Sequence, residues 1–316
     1  MDISVLIPTY NRNDLLTKTL DSLCALKTGS LQWEVILIDN AADGATWKLA
    51  ETYRKRLSLI YLIEPRQGKS HALNTGLKVA RGEWLIFTDD DISCQDDWLT
   101  ELWKGARRFR QHHIFGGAVT PLGPGGKSLL YLESRLCRLF YGMTDTSTAE
   151  GPCSPYKVYG ANMMIRRDIL RNLTRRKSLS PPGSVFDTRL GPKGSDYLTG
   201  CETDLLLKLE KDGHVPVFLP QARVNHQIRE EQTTNEWLEH RAFLSGRSMV
   251  FQDGHEDLPR LLGIPRYLWR LYAETGLKWA LSRLGSDKLR QFDNRINLWM
   301  VKGRMYQYKL KEFRHE

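Results

Sequence analysis

The chain has 316 residues, of which 41% are hydrophobic and 26% charged, with 25 Gly and 13 Pro; this excludes collagenous, low-complexity and disordered classes and leaves one large folded domain or two of ordinary size. Forty-six Lys and Arg against 37 Asp and Glu give a net charge of +9, which favours anionic partners: nucleotide phosphates, nucleic acid or an acidic membrane face. The longest apolar runs, such as Val35 to Ile38 and Trp84 to Phe87, fall far short of the roughly 18–20 residues of a membrane span, and Met1 runs into Ile3 to Ile7 without signal-peptide features, so a cytoplasmic protein is expected.

In chain order, Ile3 to Ile7 reads as a strand bounded by Pro8, and Leu16, Leu20 and Leu23 recur at helical spacing behind a cap at Asn13 or Asp14. Val35 to Ile38 is the next strand, Thr46 to Leu57 a helix and Leu59 to Ile63 a third strand. His71 to Ala80 is a helix with Leu73, Leu77 and Ala80 on one face, and Trp84 to Thr88 is a fourth strand. The alternation predicts an α/β fold, a mostly parallel central sheet with helices on both faces. A helix from Trp98 to Phe109 follows, with Asp96 and Asp97 as caps, then a strand at Ile114 to Val119. From Pro121 to Tyr156 Gly, Pro, Ser and Thr prevail around a short apolar helix near Leu129 to Phe140, the pattern of a functional loop region. Regularity returns at Tyr156 to Arg166, in a helix from about Glu202 to Lys211, and in two short strands, Val215 to Leu219 and Ala222 to His226.

Beyond Arg229 the β-type runs stop and the chain reads as a helical extension. From Leu258 onward it carries 13 basic residues against five acidic ones, with Tyr267, Trp269, Tyr272, Trp279, Trp299, Tyr306 and Tyr308 interleaved. That composition suits helices packed on the rest of the protein and equally suits interfacial helices on an anionic leaflet. The five cysteines are scattered and never spaced as C-x-x-C, so reduced thiols are expected rather than disulfides or a zinc site.

Three polar groups directly follow apolar strands: Pro8-Thr9-Tyr10-Asn11-Arg12, Asp39-Asn40 and Asp89-Asp90-Asp91. In a parallel sheet all three fall at the carboxyl edge, where ligand crevices form. Each alone reads equally well as a solvated loop; their joint placement favours a site. Three adjacent carboxylates repel one another and call for a cation or donors, and a hard divalent ion, Mg²⁺ or Mn²⁺, satisfies them.

These residues carry a resemblance. SVLIPTYNR at 4–12, VILIDN at 35–40, GKSHALNTGLKVARGEWLIFTDDD at 68–91, YGANMMIRRDIL at 159–170, GCETDLLLKL at 200–209 and VNH at 224–226 together resemble an inverting glycosyltransferase of family 2, with the GT-A fold, over roughly residues 3–250. The resemblance implies a Rossmann-like catalytic domain at 1–228, with a nucleotide-sugar half at about 1–120 and an acceptor half at about 121–228, followed by a helical, basic, aromatic region at 229–316. It implies that Asp39 accepts a hydrogen bond from the nucleobase, with Pro8, Thr9 and Tyr10 walling the base and Arg12 close by. An acceptor facing a ring N–H reads uracil, so a UDP-sugar is the expected donor. Asp89 matches the position at the ribose or donor, Asp90 the one at the donor sugar, and Asp91 the metal ligand of the D-x-D motif. His226 matches a metal-binding histidine, and Lys69, opening a helix, is placed to approach the diphosphate.

Gly200-Cys201-Glu202-Thr203-Asp204 departs from the family's Glu-Asp-x-Asp/Glu motif: Cys stands for the usual Glu and Glu202 for the usual Asp. The resemblance makes Glu202 the base and Asp204 its supporting neighbour, whereas a bland reading has Glu202 merely starting a helix. The function implied is metal-dependent inverting transfer of a sugar from a nucleotide diphosphate sugar to a hydroxyl acceptor, in bacterial cell-surface polysaccharide or glycoconjugate synthesis. The acceptor would be a sugar, a lipid-linked oligosaccharide or a protein, with peripheral attachment to the cytoplasmic face of the inner membrane if the basic tail contacts it. The rivals are a sugar nucleotidyltransferase, disfavoured because no Gly-rich triphosphate loop opens the chain, and a non-catalytic nucleotide-sugar-binding protein. No nucleic-acid module is visible, so no nucleic-acid partner is expected.

Overall fold

All seven residues of the first strand are buried, the pattern of a strand covered on both faces of a sheet rather than one facing water. The computed structural model describes residues 1–42, 44–126, 132–145, 147–174, 183–194, 197–253 and 258–310. The elements are β1 (Ile3–Thr9), α1 (Asn13–Cys24), β2 (Trp33–Asp39), α2 (Ala45–Tyr53), β3 (Leu59–Ile63), α3 (Lys69–Leu77), β4 (Trp84–Phe87), β5 (Ile92–Cys94), α4 (Trp98–Arg108), β6 (Ile114–Leu122), α5 (Arg135–Phe140), β7 (Gly151–Pro152), β8 (Met163–Arg166), α6 (Arg167–Thr174), α7 (Cys201–Lys211), β9 (Val217–Gln227), α8 (Asn235–Asp253), β10 (Arg260–Leu261), β11 (Ile264–Pro265), α9 (Arg266–Ser282) and α10 (Lys288–Lys309). They fall into two units, one of Met1–Leu122, Gly142–Ser195 and Gly200–Gln227, the other of Gly123–Tyr141, Asp196–Thr199 and Ile228–Glu316.

The first unit is built on a sheet of order β3-β2-β1-β4-β8-β6-β9-β5, with β7 paired to β9. Strands β3, β2, β1 and β4 are mutually parallel, as the strand and helix alternation predicts; β8 then runs antiparallel to both β4 and β6. The core joins alternate sheet residues such as Val5, Val35 and Ile86 to Leu16, Leu20 and Leu23 of α1 and to Trp98, Leu99 and Leu102 of α4. These are the helical stripes visible in the sequence.

Several local expectations are corrected. The two short strands predicted at 215–219 and 222–226 are one strand, β9, whose pairing with β6 jumps from Gly117↔Leu219 to Ala118↔Arg223. The bulge accommodates Pro220, which has no N–H to give to a ladder. Buried Asn162 stitches this irregularity: its Nδ2 donates to the carbonyls of Ala118 (3.0 Å) and Ala222 (2.8 Å), and its Oδ1 accepts from Trp98 Nε1 (2.9 Å). Strand β5, only three residues long, is too short to show a periodicity. Neither Asp96 nor Asp97 caps α4 with its side chain; Asp97 holds the cap position without a side-chain cap bond, and Asp96 pairs at the surface with Lys27 at 2.5 Å. At α1 the cap position falls on Arg12, again without a side-chain cap, because a guanidinium has no acceptor to offer a helix N–H. The predicted short helix near 129–140 is α5; residues 127–131 lie outside the described residues.

In the second unit, Cys137, Phe140 and Tyr141 join Ile228, Leu238 and Ala242 and the α10 residues Phe292, Ile296 and Met300 in one core. Helices α8 and α10 approach so closely that a Cβ on Gly246 would stand 2.0 Å from the Met300 carbonyl oxygen, and one on Gly303 2.0 Å from that of Phe243. Strand pairing does not stop at Arg229: β10 and β11 form a short antiparallel hairpin whose tip residues, Leu262 (φ 53°) and Gly263 (φ 79°), both take the left-handed conformation of a primed turn. Among the described residues no helix is long and apolar enough to cross a membrane.

Candidate active site

The parallel register sets the carboxyl edge of the sheet. Thr9, last in β1, pairs directly with Asp39, last in β2, and the three aspartates follow β4 on the other side of β1. The fourth component arrives from 135 residues away: β5 pairs antiparallel with β9 so that Ile92 faces His226, and Gln227 N donates to the Asp91 carbonyl at 2.7 Å. Asp89, Asp91 and His226 thereby offer one ligand atom each within 4.8 Å of one another.

Asp90 and Asp91 are buried. Arg12 spans them, with NH2 2.6 Å from Asp90 Oδ1 and NH1 3.0 Å from Asp91 Oδ2, and the Thr9 hydroxyl donates to Asp90 Oδ2 at 2.6 Å. Burial pushes the Asp90 carboxyl up, against the pull of Arg12. Burial opposes ionisation of Asp91 too, but His226, Arg12 and Lys69 outweigh it and hold that carboxyl well below the usual range. Asp91 Oδ1 stands 3.2 Å from His226 Nε2 and, although buried, has no hydrogen bond of acceptable geometry. Two carboxylates, one of them with a buried oxygen that makes no hydrogen bond of acceptable geometry, and an imidazole are a donor set that fits a divalent cation.

Lys69 opens α3 on Gly68, whose φ of 137° only glycine adopts readily. Asn40 holds that entry: its Oδ1 accepts from Gly68 N at 2.7 Å while its Nδ2 donates to the carbonyls of Glu64 and Arg66. The Lys69 ammonium lies 2.5 Å from Asp89 Oδ1 and 2.5 Å from Glu202 Oε1. Burial disfavours its charge, yet the two carboxylates keep its pKa well above that of an ordinary lysine. Glu202, in the first turn of α7, is held down at about 2 because Lys69 and the Cys201 thiol more than offset its burial. The thiol donates to Glu202 Oε2 at 2.9 Å. Gly160 leaves the room this carboxylate needs, since a Cβ there would meet Glu202 Oε1 at 2.3 Å.

Asp39 is fully buried; its Oδ1 accepts from the N–H groups of Ala41 (2.9 Å) and Ala42 (3.1 Å) and its Oδ2 from the Tyr61 hydroxyl (2.6 Å). Pro8 is buried inside β1, opposite Ile38, whereas Tyr10 is exposed. Asp204 pairs with Lys208 at 2.6 Å, and its burial raises its pKa against that cation. Of the residues singled out in the sequence, Thr9, Arg12, Asp90, Asp91 and His226 form one group of contacts and Lys69, Asp89 and Glu202 another; the two meet where Asp89, Asp91 and His226 come within 4.8 Å, with Asp39 adjoining through the Thr9 register. Sequence reading missed Tyr61, Cys201 and Gly160 as participants. Only the departure of Cys201 from the family motif signalled any of them.

The parallel strands β3-β2-β1-β4, the reversed strand β8 and an acidic cluster at the carboxyl edge define a GT-A glycosyltransferase fold. It is shared with a mannosyltransferase from Pyrobaculum calidifontis solved with GDP-Man and Mn²⁺ (TM-score 0.65, 19% identity, 96% of this chain and 86% of that one). TarS 1–349 of S. aureus shares it as well (TM-score 0.55, 16% identity, 96% and 90%). The family model described as Glycosyl transferase family 2 matches residues 4–174, and the chain belongs to that family: it is a glycosyltransferase. It is 28% identical over 251 residues to the succinoglycan biosynthesis protein ExoM of Rhizobium meliloti, covering 78% of this chain and 74% of that protein. It is 23% identical to the glucosyl-dolichyl phosphate glucuronosyltransferase of Haloferax volcanii, covering 80% and 78%.

Proposed function

We propose that the protein is a divalent-metal-dependent, inverting glycosyltransferase that takes a sugar from a nucleotide diphosphate donor, a UDP-sugar by preference, to a hydroxyl acceptor in cell-surface polysaccharide or glycoconjugate synthesis. The observation that carries it is the junction at Lys69, which touches the acidic cluster with the same ammonium that touches Glu202. Asp89, Asp91 and His226 would hold the cation, Mn²⁺ or Mg²⁺, whose chemistry when bound is to neutralise charge developing on the departing diphosphate. Arg12 orients Asp90 and Asp91. A carboxylate offers about four acceptor positions, and the described residues take three on Asp39; a base N–H would take a fourth.

Glu202 is ionised in the arrangement seen, and an acceptor hydroxyl beside it would lose its proton to Oε1 or Oε2. With Lys69 against it, it is a weak base; a donor diphosphate that draws the Lys69 ammonium toward itself strengthens that base where and when the donor is bound. One displacement from the face opposite the leaving group inverts the anomeric carbon. Support for the donor class comes from relatives: TarS 1–349 has been solved with UDP and with UDP-GlcNAc, and the mannosyltransferase with GDP-Man; ExoM is named for succinoglycan biosynthesis. Peripheral contact with an anionic membrane, at the cytoplasmic face, belongs to the same proposal.

Calorimetric titration with UDP and GDP, each with and without Mn²⁺, tests it. UDP affinity should rise with Mn²⁺, and Asp91→Ala should lower that affinity at least about tenfold to a hundredfold while leaving the thermal midpoint in place. A mutant that keeps the full Mn²⁺ effect removes Asp91 from the metal site, and preferential GDP binding overturns the choice of uracil.

A further inference from the structure

Helix α9 turns the ordinary arrangement of a surface helix inside out. Its one fully buried side chain is Leu268. On a helical period Leu277 lies on the opposite side, about 180° away, and Leu281 follows one turn later on the same stripe, with Leu284 continuing it just past the helix end. These three leucines are 61%, 57% and 86% exposed. At the other end of α9 the β10–β11 hairpin, tied to the helix by a hydrogen bond from Trp269 Nε1 to the Leu261 carbonyl (3.1 Å), exposes Leu261 and Leu262 at its tip. Leu262 does so at a φ of 53°, a conformation a leucine adopts at a cost. Five exposed leucines on one continuous stretch are more than scattered surface hydrophobes explain.

The surrounding charge is one-sided. Between residues 260 and 290 stand Arg260, Arg266, Arg270, Lys278, Arg283, Lys288 and Arg290, all exposed, against Glu274 and Asp287. Tyr267 and Tyr272 sit partly exposed among them, suited to the level of lipid headgroups. We infer that α9 and the β10–β11 hairpin form a membrane-docking surface that lays Leu277, Leu281, Leu284 and Leu262 into the acyl boundary of an anionic bilayer while the flanking Arg and Lys meet its phosphates. This deepens the membrane element of the proposed function and rests on it. A second copy of the chain is the poorer occupant: joining two such surfaces would bring seven basic groups against seven with few acids to offset them, whereas an anionic leaflet attracts them all.

The test is co-sedimentation of the full chain with vesicles of phosphatidylcholine alone and of phosphatidylcholine with an equal part of phosphatidylglycerol. Binding is expected only to the anionic vesicles and should fall several-fold when salt shortens the screening length from about 8 Å to about 3 Å. The combined variant Leu277→Gln, Leu281→Gln, Leu284→Gln should lose at least about tenfold in partitioning with an unchanged thermal midpoint, and Arg270→Gln with Lys278→Gln should lose roughly twenty-five-fold, each basic residue being worth roughly fivefold. No binding to anionic vesicles, equal binding to both kinds, or undiminished binding by the leucine variant overturns the inference. So does a dimer in sedimentation equilibrium that the leucine variant dissolves. Mn²⁺-dependent UDP affinity, measured on the same preparations, reports separately on the donor site, so failure there and failure here are told apart.

Discussion

Two regions of this molecule depart from the rule that charge faces water and apolar groups face the core, and they do so in opposite directions. At the carboxyl edge of the parallel strands Asp90, Asp91 and Glu64 are buried, each matched by a cation or a hydroxyl. On α9 leucines lie in solvent, unmatched by protein. Buried charge is costly unless its partners are near, so the carboxyl edge has to be completed from within the chain. Exposed apolar area costs little until water is offered an alternative, so α9 can wait for a partner from outside. The first kind of departure specifies geometry; the second specifies only chemistry and extent.

The largest effect that can break this contrast is at Glu202. Glu202→Gln keeps the shape and the contact with the Cys201 thiol but takes no proton, so turnover should fall by roughly 10² to 10⁴ with donor binding retained. A Gln variant with near-normal kcat would demote Glu202 to a helix-start residue and move the search to Asp204. Gly160→Ala sharpens the same point without touching a charge. Its Cβ would displace the Glu202 carboxylate, and a displacement of this kind should cost kcat about tenfold to a hundredfold while leaving UDP affinity and the thermal midpoint near wild type. Equal loss of affinity and turnover would show that the loop, not the carboxylate, had moved.

Smaller is the pH response of Glu64. Its carboxyl is held at about 2 by hydrogen bonds from Arg66, which outweigh burial, with Thr75 adding to them. A carboxyl lowered in the folded state stabilises fully above its ordinary value of 4.5 and loses that contribution as pH falls through about 2. Chemical denaturation at pH 7 should find Glu64→Gln weaker by roughly 1–2 kcal/mol, discounted because Arg66 is well exposed, and the gap should close on acidification toward pH 2. A constant gap would assign the loss to packing instead. Smallest of all is Leu281→Gln on α9, expected to shift unfolding free energy by less than about 0.5 kcal/mol. A loss above about 2 kcal/mol would mean that this leucine is packed against protein in solution.

Much of the parallel part of the sheet is legible in the amino-acid sequence alone. The strands Ile3 to Ile7 and Val35 to Ile38, the leucine stripe of α1 and the acidic motif after β4 all declare themselves locally, because burial on both faces forces continuous apolar runs and a carboxyl edge collects the polar residues that follow them. The family motif even orders Asp89, Asp90 and Asp91 ahead of Glu202 and His226. Where sequence reading slips, a contact at a distance is involved: Asp96 pairs with Lys27 and does not cap α4, and the bulge opposite Gly117 fuses two apparent strands into one.

The amino-acid sequence by itself determined the parallel part of the sheet, the identity of the charged residues at its edge and the basic, aromatic character of the last helices, since each is written in a window of a few residues. Only the tertiary structure decided that one lysine faces both Asp89 and Glu202, that Tyr61 and Cys201 hold the carboxylates they touch, and which leucines of α9 remain outside. Those facts depend on chain segments tens to more than a hundred residues apart meeting within hydrogen-bond distance, or failing to meet at all, and no local period or propensity encodes either outcome.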